Sequence, residues 1–260
     1  LWRRHRRAQR HRPHVRQSRH GAPVRLRRRA GKPAYVRCEG ERLFIPLRSD
    51  AERNGEGIRR TSAGTASAVD ADVHPDELKA MHISGVRGIR LNLAGIGHEI
   101  PEWTRAERVW QSVHDLGWHL EVHTDQGALP QVLAQLPSDV PLVVDHMAKP
   151  HEACATDASV LALVKRAQRV PTYVKLSGAY RLGGVDALRL ARLWLQELGV
   201  DALLWGSDWP CTNHENLANY PALMGELVNW MAGEHLEHVL AHNPQRLYWR
   251  EGPEQPHADG

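Results

Sequence analysis

The sequence predicts an α/β fold, namely a TIM (β/α)8 barrel whose first two strand units are missing or scrambled. From about residue 65 onward, short apolar runs alternate with longer amphipathic segments. Residues that mark the ends of these runs recur at intervals of 20 to 33 residues, the length of a strand–helix unit. Six such units are visible, whereas a TIM barrel needs eight. An open doubly wound sheet is the alternative fold, but no Gly-rich dinucleotide fingerprint follows any of the runs.

Each predicted strand is four to eight residues long and is bounded by Gly, Pro, Asp or Asn. The predicted strands are 66–73, 88–93, 118–124, 142–146, 173–177 and 202–206. Pro near the start and Gly, Pro or Ser near the end mark the helices between them. These predicted helices are 75–83, 102–116, 157–170 and 185–198.

Residues 1–64 have a different composition from the rest of the chain. Residues 1–60 hold 18 Arg and one Lys against five acids, a net charge of +14, whereas the remainder carries −10. Residues 1–64 contain only 10 residues of Leu, Ile, Val, Met or Phe, too few to bury a core. We interpret 1–64 as a disordered or out-of-frame Arg-rich segment, 65–250 as the barrel and 251–260 as a polar tail. A basic nucleic-acid-binding arm is the alternative, and we do not expect nucleic acid as a partner.

Composition also argues against several other classes of protein. The sequence has no run of 18 apolar residues that could form a transmembrane helix, and its beginning lacks the apolar core of a signal peptide. Its three cysteines, Cys38, Cys154 and Cys211, show no CxxC spacing. These features predict a cytoplasmic protein without a membrane partner, and they leave the oligomeric state open.

Three titratable residues stand at the ends of predicted strands: His123, His146 and Asp208. The carboxyl ends of parallel strands meet at one rim, where active sites of such folds lie. Two imidazoles and a carboxylate there could bind one divalent metal, zinc above all. Without a metal, Asp208 could act as a general base and His146 could polarise a carbonyl. A cofactor is therefore either not required or is a single metal ion.

Two arginines predict the charge of the substrate. Arg90 lies in the second predicted strand and Arg181 follows the fifth. A guanidinium binds a carboxylate through two parallel hydrogen bonds, so the pair predicts a small-molecule carboxylate substrate. A structural ion pair is the alternative for each. His214, in the loop after the last strand, is expected to line the mouth of the site and to bind substrate there.

Four segments in order resemble the amidohydrolase-2 branch of the amidohydrolase superfamily, and within it the 2-pyrone-4,6-dicarboxylate lactonase group. They are VDHMAKP (144–150), YVKLSGAYRL (173–182), LLWGSDWP (203–210) and NPQRLY (243–248). The resemblance implies a TIM barrel with Asp208 as the general base and His146 as a carbonyl-polarising or metal-binding group. It also implies that Arg90 and Arg181 bind substrate carboxylate. The lactonase group works without bound metal.

One feature of the superfamily has no counterpart in residues 1–64. Members carry an HxH pair on the first strand, whereas His5, His11, His14 and His20 form no such pair. We therefore expect a lactone hydrolase whose activity in this chain is weak or lost. The alternatives are a metal-dependent decarboxylase of the same superfamily and a truncated, inactive product with a basic arm.

Overall fold

Six parallel strands form one sheet in the structure, a computed structural model that describes residues 26–27, 33–34, 65–209, 211–217 and 219–249. The spatial order of these strands follows their order in the chain, and every neighbouring pair is parallel. The strands are Thr65–Ser67 (β3), Val86–Asn92 (β4), His119–His123 (β5), Leu142–Val144 (β6), Thr172–Leu176 (β7) and Leu203–Trp205 (β8). This arrangement confirms the α/β prediction.

A separate antiparallel pair precedes this sheet and consists of Leu26–Arg27 (β1) and Pro33–Ala34 (β2). All other parts of the predicted segment 1–64, and the tail 251–260, lie outside the described residues. The predicted domain boundaries therefore stay predictions.

Helices connect the strands, and three of the described helices follow the last strand. The helices are Pro75–Ile83 (α1), Pro101–Thr104 (α2), Glu107–Asp115 (α3), Leu129–Leu133 (α4), Ala158–Ala167 (α5), Ala187–Leu198 (α6), Tyr220–Trp230 (α7), Gly233–Glu237 (α8) and Asn243–Tyr248 (α9). Side chains that accept a backbone N–H cap four of them, as helix N-termini require. These capping residues are His74, Asp157, Asp186 and Asn219.

Two predicted elements differ from the structure. The single helix expected over 102–116 is divided, because the Trp103 carbonyl accepts hydrogen bonds from Ala106 N and Trp110 Nε1 where a continuous helix would use residue 107. The strand expected over 66–73 ends at Ser67, and a turn closed by Val73 N and the Asp70 carbonyl follows it.

The two faces of the sheet differ in chemistry, because successive side chains of a strand point to opposite sides. One face, here called the outer face, packs aliphatic side chains against the helices. Its members include Leu120, Val122, Leu142, Val144, Val174 and Leu176. The opposite, inner face carries polar and charged groups near the carboxyl ends of the strands. They include Arg90, Glu121, His123, Lys175 and Ser177.

Among the described residues, a small apolar cluster lies on the inner face. Val143, Tyr173 and Leu204 pack there against Leu247 of α9, with Tyr248 alongside. The last helix therefore covers part of the inner face, and the polar groups lie towards the carboxyl ends of the strands.

Candidate active site

The turn that follows β6 has an unusual backbone. His146, Met147, Ala148 and Lys149 all have positive φ, between 43° and 64°. Such left-handed conformations are disfavoured for residues other than glycine. His146, Met147 and Ala148 are nevertheless buried, and a group outside the turn holds its middle, since Trp194 Nε1 donates to the Met147 carbonyl at 3.0 Å. Strain of this kind persists only where the surroundings enforce it, and it concentrates at functional sites.

This turn brings His146 into a buried polar group. Its Nδ1 lies 3.1 Å from Ser177 Oγ, and its Nε2 lies 3.8 Å from Asp208 Oδ1. A Cβ at Gly178, whose own φ is +59°, would lie 2.8 Å from His146 Nδ1, so glycine leaves room for the imidazole. Burial lowers the pKa of His146 well below its usual value, and the neighbouring charge of Asp145 only partly opposes this. His146 is therefore a neutral imidazole near pH 7.

His123, at the end of β5, meets His146 edge to face, with ring centroids 4.5 Å apart. Its side chain is buried, and its Nε2 has no hydrogen-bond partner among the residues that the structure describes. Burial lowers the pKa of His123 to about 4, with Asp145 opposing the shift. A neutral ring nitrogen is thus available for a ligand at this position.

Asp208 follows β8 with a φ of +56°. Its Oδ2 accepts hydrogen bonds from the Tyr180 hydroxyl at 2.7 Å and from Arg181 Nε at 2.5 Å. Burial and hydrogen bonds to Cys211 and Asp208 raise the pKa of Tyr180 above its usual value, so its hydroxyl keeps the proton that it donates. These two donors fix the carboxylate and leave Oδ1 turned towards His146.

Four charged side chains form a closed ring beneath the histidines. Arg90 contacts Glu121 at 2.9 Å and Asp145 at 2.8 Å, and Lys175 contacts the same two carboxylates at 2.6 and 3.2 Å. Burial by itself raises the pKa of Asp145, but Lys175 and Arg90 outweigh burial and hold it well below its usual value. We call Arg90, Glu121, Asp145 and Lys175 the charge ring. It is electrically neutral overall.

Three buried groups lie close enough to bind one metal ion. The ligand atoms of His123, Asp145 and His146 are all within 4.8 Å of one another. The donor chemistry fits a cation poorly, however, because Asp145 Oδ1 and Oδ2 already contact Lys175 and Arg90. A divalent ion on this carboxylate would face two buried cations at close range.

The structure places the residues predicted from sequence at different depths. His123, His146 and Asp208 come together at one site. Arg181 lies on Asp208 and also donates to the Thr212 carbonyl, and His214 packs on the Tyr180 ring with centroids 5.0 Å apart.

Arg90 lies in the charge ring below that site. Its guanidinium is engaged by two carboxylates, the arrangement that the sequence analysis gave as the alternative to substrate binding. Substrate binding by Arg90, Arg181 and His214 stays a prediction.

Sequence reasoning did not single out four further polar residues, namely Glu121, Asp145, Lys175 and Tyr180. The signal for two of them was the period of two along a strand: Glu121 stands two residues before His123, and Lys175 two before Ser177. Lys149 was also missed. It is half-buried at the end of the left-handed turn; burial lowers its pKa, Asp125 opposes this, and Arg181 adds to it.

A family model described as amidohydrolase matches residues 53–250, more than half of the chain. The chain belongs to this amidohydrolase family. Two curated relatives are each 28% identical to it. A 2-pyrone-4,6-dicarboxylate hydrolase of Comamonas testosteroni aligns over 74% of this chain and 70% of its own length. A 4-sulfomuconolactone hydrolase of Rhizobium radiobacter aligns over 66% of this chain and 61% of its own length, so the chain spans less than two thirds of that protein.

Solved structures agree with this assignment. A protein from Pseudomonas putida described as a 2-pyrone-4,6-dicarboxylic acid hydrolase has a TM-score of 0.62 at 26% identity, covering 71% of each chain. One from Acinetobacter baumannii with the same description, solved with citric acid bound, has a TM-score of 0.61 at 25% identity and covers 71% of this chain and 72% of its own. The amidohydrolase barrel predicted from sequence is therefore confirmed, and the six-stranded sheet is part of it.

Proposed function

We propose that this amidohydrolase opens a carboxylate-bearing lactone, or a related cyclic ester, with a water molecule activated by Asp208. The observation that carries the proposal is the pairing of Asp208 Oδ1 with His146 Nε2 at 3.8 Å, with Oδ2 held by Tyr180 and Arg181. Oδ1 accepts no hydrogen bond from the part of the chain that the structure describes, and a fixed carboxylate oxygen of this kind beside a neutral imidazole suits general base catalysis at a carbonyl. Both curated relatives have names that describe hydrolases, one of a dicarboxylate and one of a lactone.

The proposed reaction uses the two groups in distinct roles. A water bound to Asp208 Oδ1 loses a proton to that carboxylate as its oxygen attacks the ring carbonyl. His146 Nε2–H donates a hydrogen bond to the oxyanion that develops, while Nδ1 accepts from Ser177 Oγ–H. Asp208 then returns the proton to the ring oxygen as the carbon–oxygen bond breaks. The ring opens to a carboxylic acid and a hydroxyl group.

Cations near this pair favour an anionic substrate. Arg181 lies beside Asp208, and the charge of Arg181 is close enough to Lys149 to lower the pKa of that lysine. A relative with bound citric acid, itself a polycarboxylate, is consistent with this substrate class. Because two carboxylates engage Arg90 and only one, that of Asp208, engages Arg181 among the described residues, Arg181 is the stronger of the two arginine candidates for substrate binding.

The proposed reaction contains no metal-dependent step, since the charge ring engages both oxygens of Asp145. The grouping of His123, Asp145 and His146 is the observation that favours the alternative, a metal-dependent decarboxylase of the same superfamily, with zinc as the expected ion. No described helix is both long and apolar enough to cross a membrane. A cytoplasmic location stays a prediction.

The test is hydrolysis of 2-pyrone-4,6-dicarboxylate, followed by ultraviolet absorbance with protein in excess so that weak turnover is measurable. We expect Asp208→Asn to lower the rate by about a hundredfold or more, since general base catalysis is typically worth about 10²–10⁴. Affinity for the opened product, measured by calorimetry, should survive this change, because the cations remain. Asp115→Asn is the control, since Asp115 is exposed at the end of α3. Near-normal turnover by Asp208→Asn would remove the proposal.

A further inference from the structure

Trp194 connects the outer layer of helices to the left-handed turn of the active site. It lies in α6 and is fully buried, in the core between that helix and the sheet. Its indole Nε1 nevertheless donates a hydrogen bond to the Met147 carbonyl at 3.0 Å. The Met147 carbonyl belongs to the Met147–Ala148 peptide, one residue beyond His146, so this bond acts within the turn that carries the proposed catalytic histidine.

The left-handed turn needs such an anchor. Four successive residues with positive φ are strained, and a rotation of one peptide would relieve part of this strain. The far end of the turn is held by Gly127 N, which donates to the Lys149 carbonyl at 2.8 Å. Gln126 Nε2 holds the chain just beyond, at the Pro150 carbonyl. The Trp194 bond holds the middle of the turn.

We propose that Trp194 is a positioning residue, which holds the turn 146–149 through the Met147 carbonyl and thereby keeps His146 between Ser177 and Asp208. The expected loss of kcat rests on the proposed function, whereas the expected displacement of His146 does not. Without the indole N–H, the buried Met147 carbonyl loses this donor. Because an unsatisfied buried carbonyl is unfavourable, we expect the Met147–Ala148 peptide to rotate towards another donor. His146 shares the backbone of that turn and moves with it, away from a position where 3.8 Å separates it from Asp208.

The chain offers a matched control in Trp118. This residue is also fully buried, and its Nε1 also donates one hydrogen bond, to His82 Nδ1 at 2.9 Å. It precedes β5, at the opposite end of that strand from His123. Trp118→Phe and Trp194→Phe therefore remove the same groups from equally buried positions, one distant from the turn and one touching it.

The experiment compares these two variants in the full chain. We expect both to lower the melting temperature. Only Trp194→Phe should lower kcat for the lactone, by about tenfold or more, with KM changed less than twofold, as expected when a group that acts in the transition state is misplaced. Only Trp194→Phe should also shift the ¹⁵N resonances of the His146 imidazole, identified by their loss in His146→Gln.

A rescue variant separates positioning from general stability. Ala148 has a φ of +64°, which glycine adopts without strain, so Ala148→Gly should restore part of the kcat lost in Trp194→Phe. The same Ala148→Gly change should not raise kcat in the Trp118→Phe variant. If Trp194→Phe does not fold, β-(3-benzothienyl)alanine at position 194 keeps the bicyclic shape without the N–H and replaces it in every comparison.

Unchanged His146 resonances in the folded Trp194 variant would overturn the inference, as would equal losses of kcat in the two tryptophan variants. The resonance comparison does not require turnover. If the wild-type chain hydrolyses no lactone, the proposed function fails while the positioning role of Trp194 is still decided.

Discussion

The inner and outer faces of the six-stranded sheet are formed by the same strands but are stabilised by different interactions. On the outer face, aliphatic side chains such as Leu120 and Val122 pack against helices, and their interaction is non-directional. On the inner face, Glu121 and His123 from the same strand depend on particular partners at particular distances. The outer face therefore stabilises the fold through the apolar surface area that it buries. The inner face depends on paired charges of opposite sign and on the orientation of each polar group.

Substitutions on the two faces should therefore affect stability and activity differently. Loss of an aliphatic side chain from the outer face of the sheet removes buried area and leaves a cavity. It should not change the chemistry of the folded site, because such a side chain, unlike Trp194, has no N–H to donate to the turn 146–149. Loss of an inner side chain leaves a buried charge without its ion-pair partner, or a buried ring nitrogen without a hydrogen bond.

The largest effect should come from the charge ring. Lys175→Met leaves Glu121 and Asp145 with Arg90 as their one ring cation, a buried excess of negative charge. Breaking such a buried pair typically costs about 3–5 kcal/mol, so we expect a loss of that size in the free energy of unfolding. Urea denaturation measures it.

The double variant Lys175→Met/Glu121→Gln sharpens this result. It removes one charge of each sign and keeps the pair of Arg90 with Asp145. We expect it to be more stable than Lys175→Met alone, a coupling that a double-mutant cycle detects. Simple additivity of the two single changes would show that the ring does not act as a unit.

A somewhat smaller loss is expected on the outer face. Leu120 is fully buried, so Leu120→Ala should cost about 3 kcal/mol of unfolding free energy through lost burial and a cavity. Lactone turnover per folded molecule should not change. Leu161→Ala is the control, because Leu161 is exposed on α5 and should cost less than about 0.5 kcal/mol. A fall in kcat for folded Leu120→Ala would contradict the separation of the two faces.

A third effect depends on pH. Burial lowers the pKa of His123 from 6.5 to about 4, so below pH 6.5 the unfolded chain binds a proton that the folded chain does not. Stability should therefore fall as the pH drops from about 6.5 to about 4. At pH 5 the loss from this group is on the order of 2 kcal/mol.

The measurement is the pH dependence of the unfolding free energy in wild type and in His123→Gln. The difference between the two curves isolates His123 from the other titrating groups. If the curves stay parallel from pH 7 to pH 4.5, the imidazole is not the buried neutral group that its surroundings indicate.

The same contrast decides what sequence could predict. His123, His146 and Asp208 could be brought together in advance, because the carboxyl ends of parallel strands share one rim. The left-handed turn could not be predicted, since Met147 and Ala148 carry no local sequence signal for positive φ. Its backbone is held by Trp194, which is 47 residues from Met147 in the chain. The partners of Arg90 also depend on the register between strands, which pairs Arg90 with Glu121.

The smallest effect should follow from metal removal. On the inner face, Arg90 and Lys175 contact both oxygens of Asp145, so a divalent ion on that carboxylate would have to displace or repel a buried cation. We therefore expect EDTA, and zinc added after it, to change lactone turnover by less than about twofold, whereas a site whose metal supplies the attacking hydroxide would lose nearly all activity. Metal content measured by mass spectrometry checks the same point. The contrary result would be one tightly bound zinc per chain that is lost in His123→Gln, with turnover that depends on that zinc. It would show that the inner face holds a metal ion with His123 and His146 as ligands.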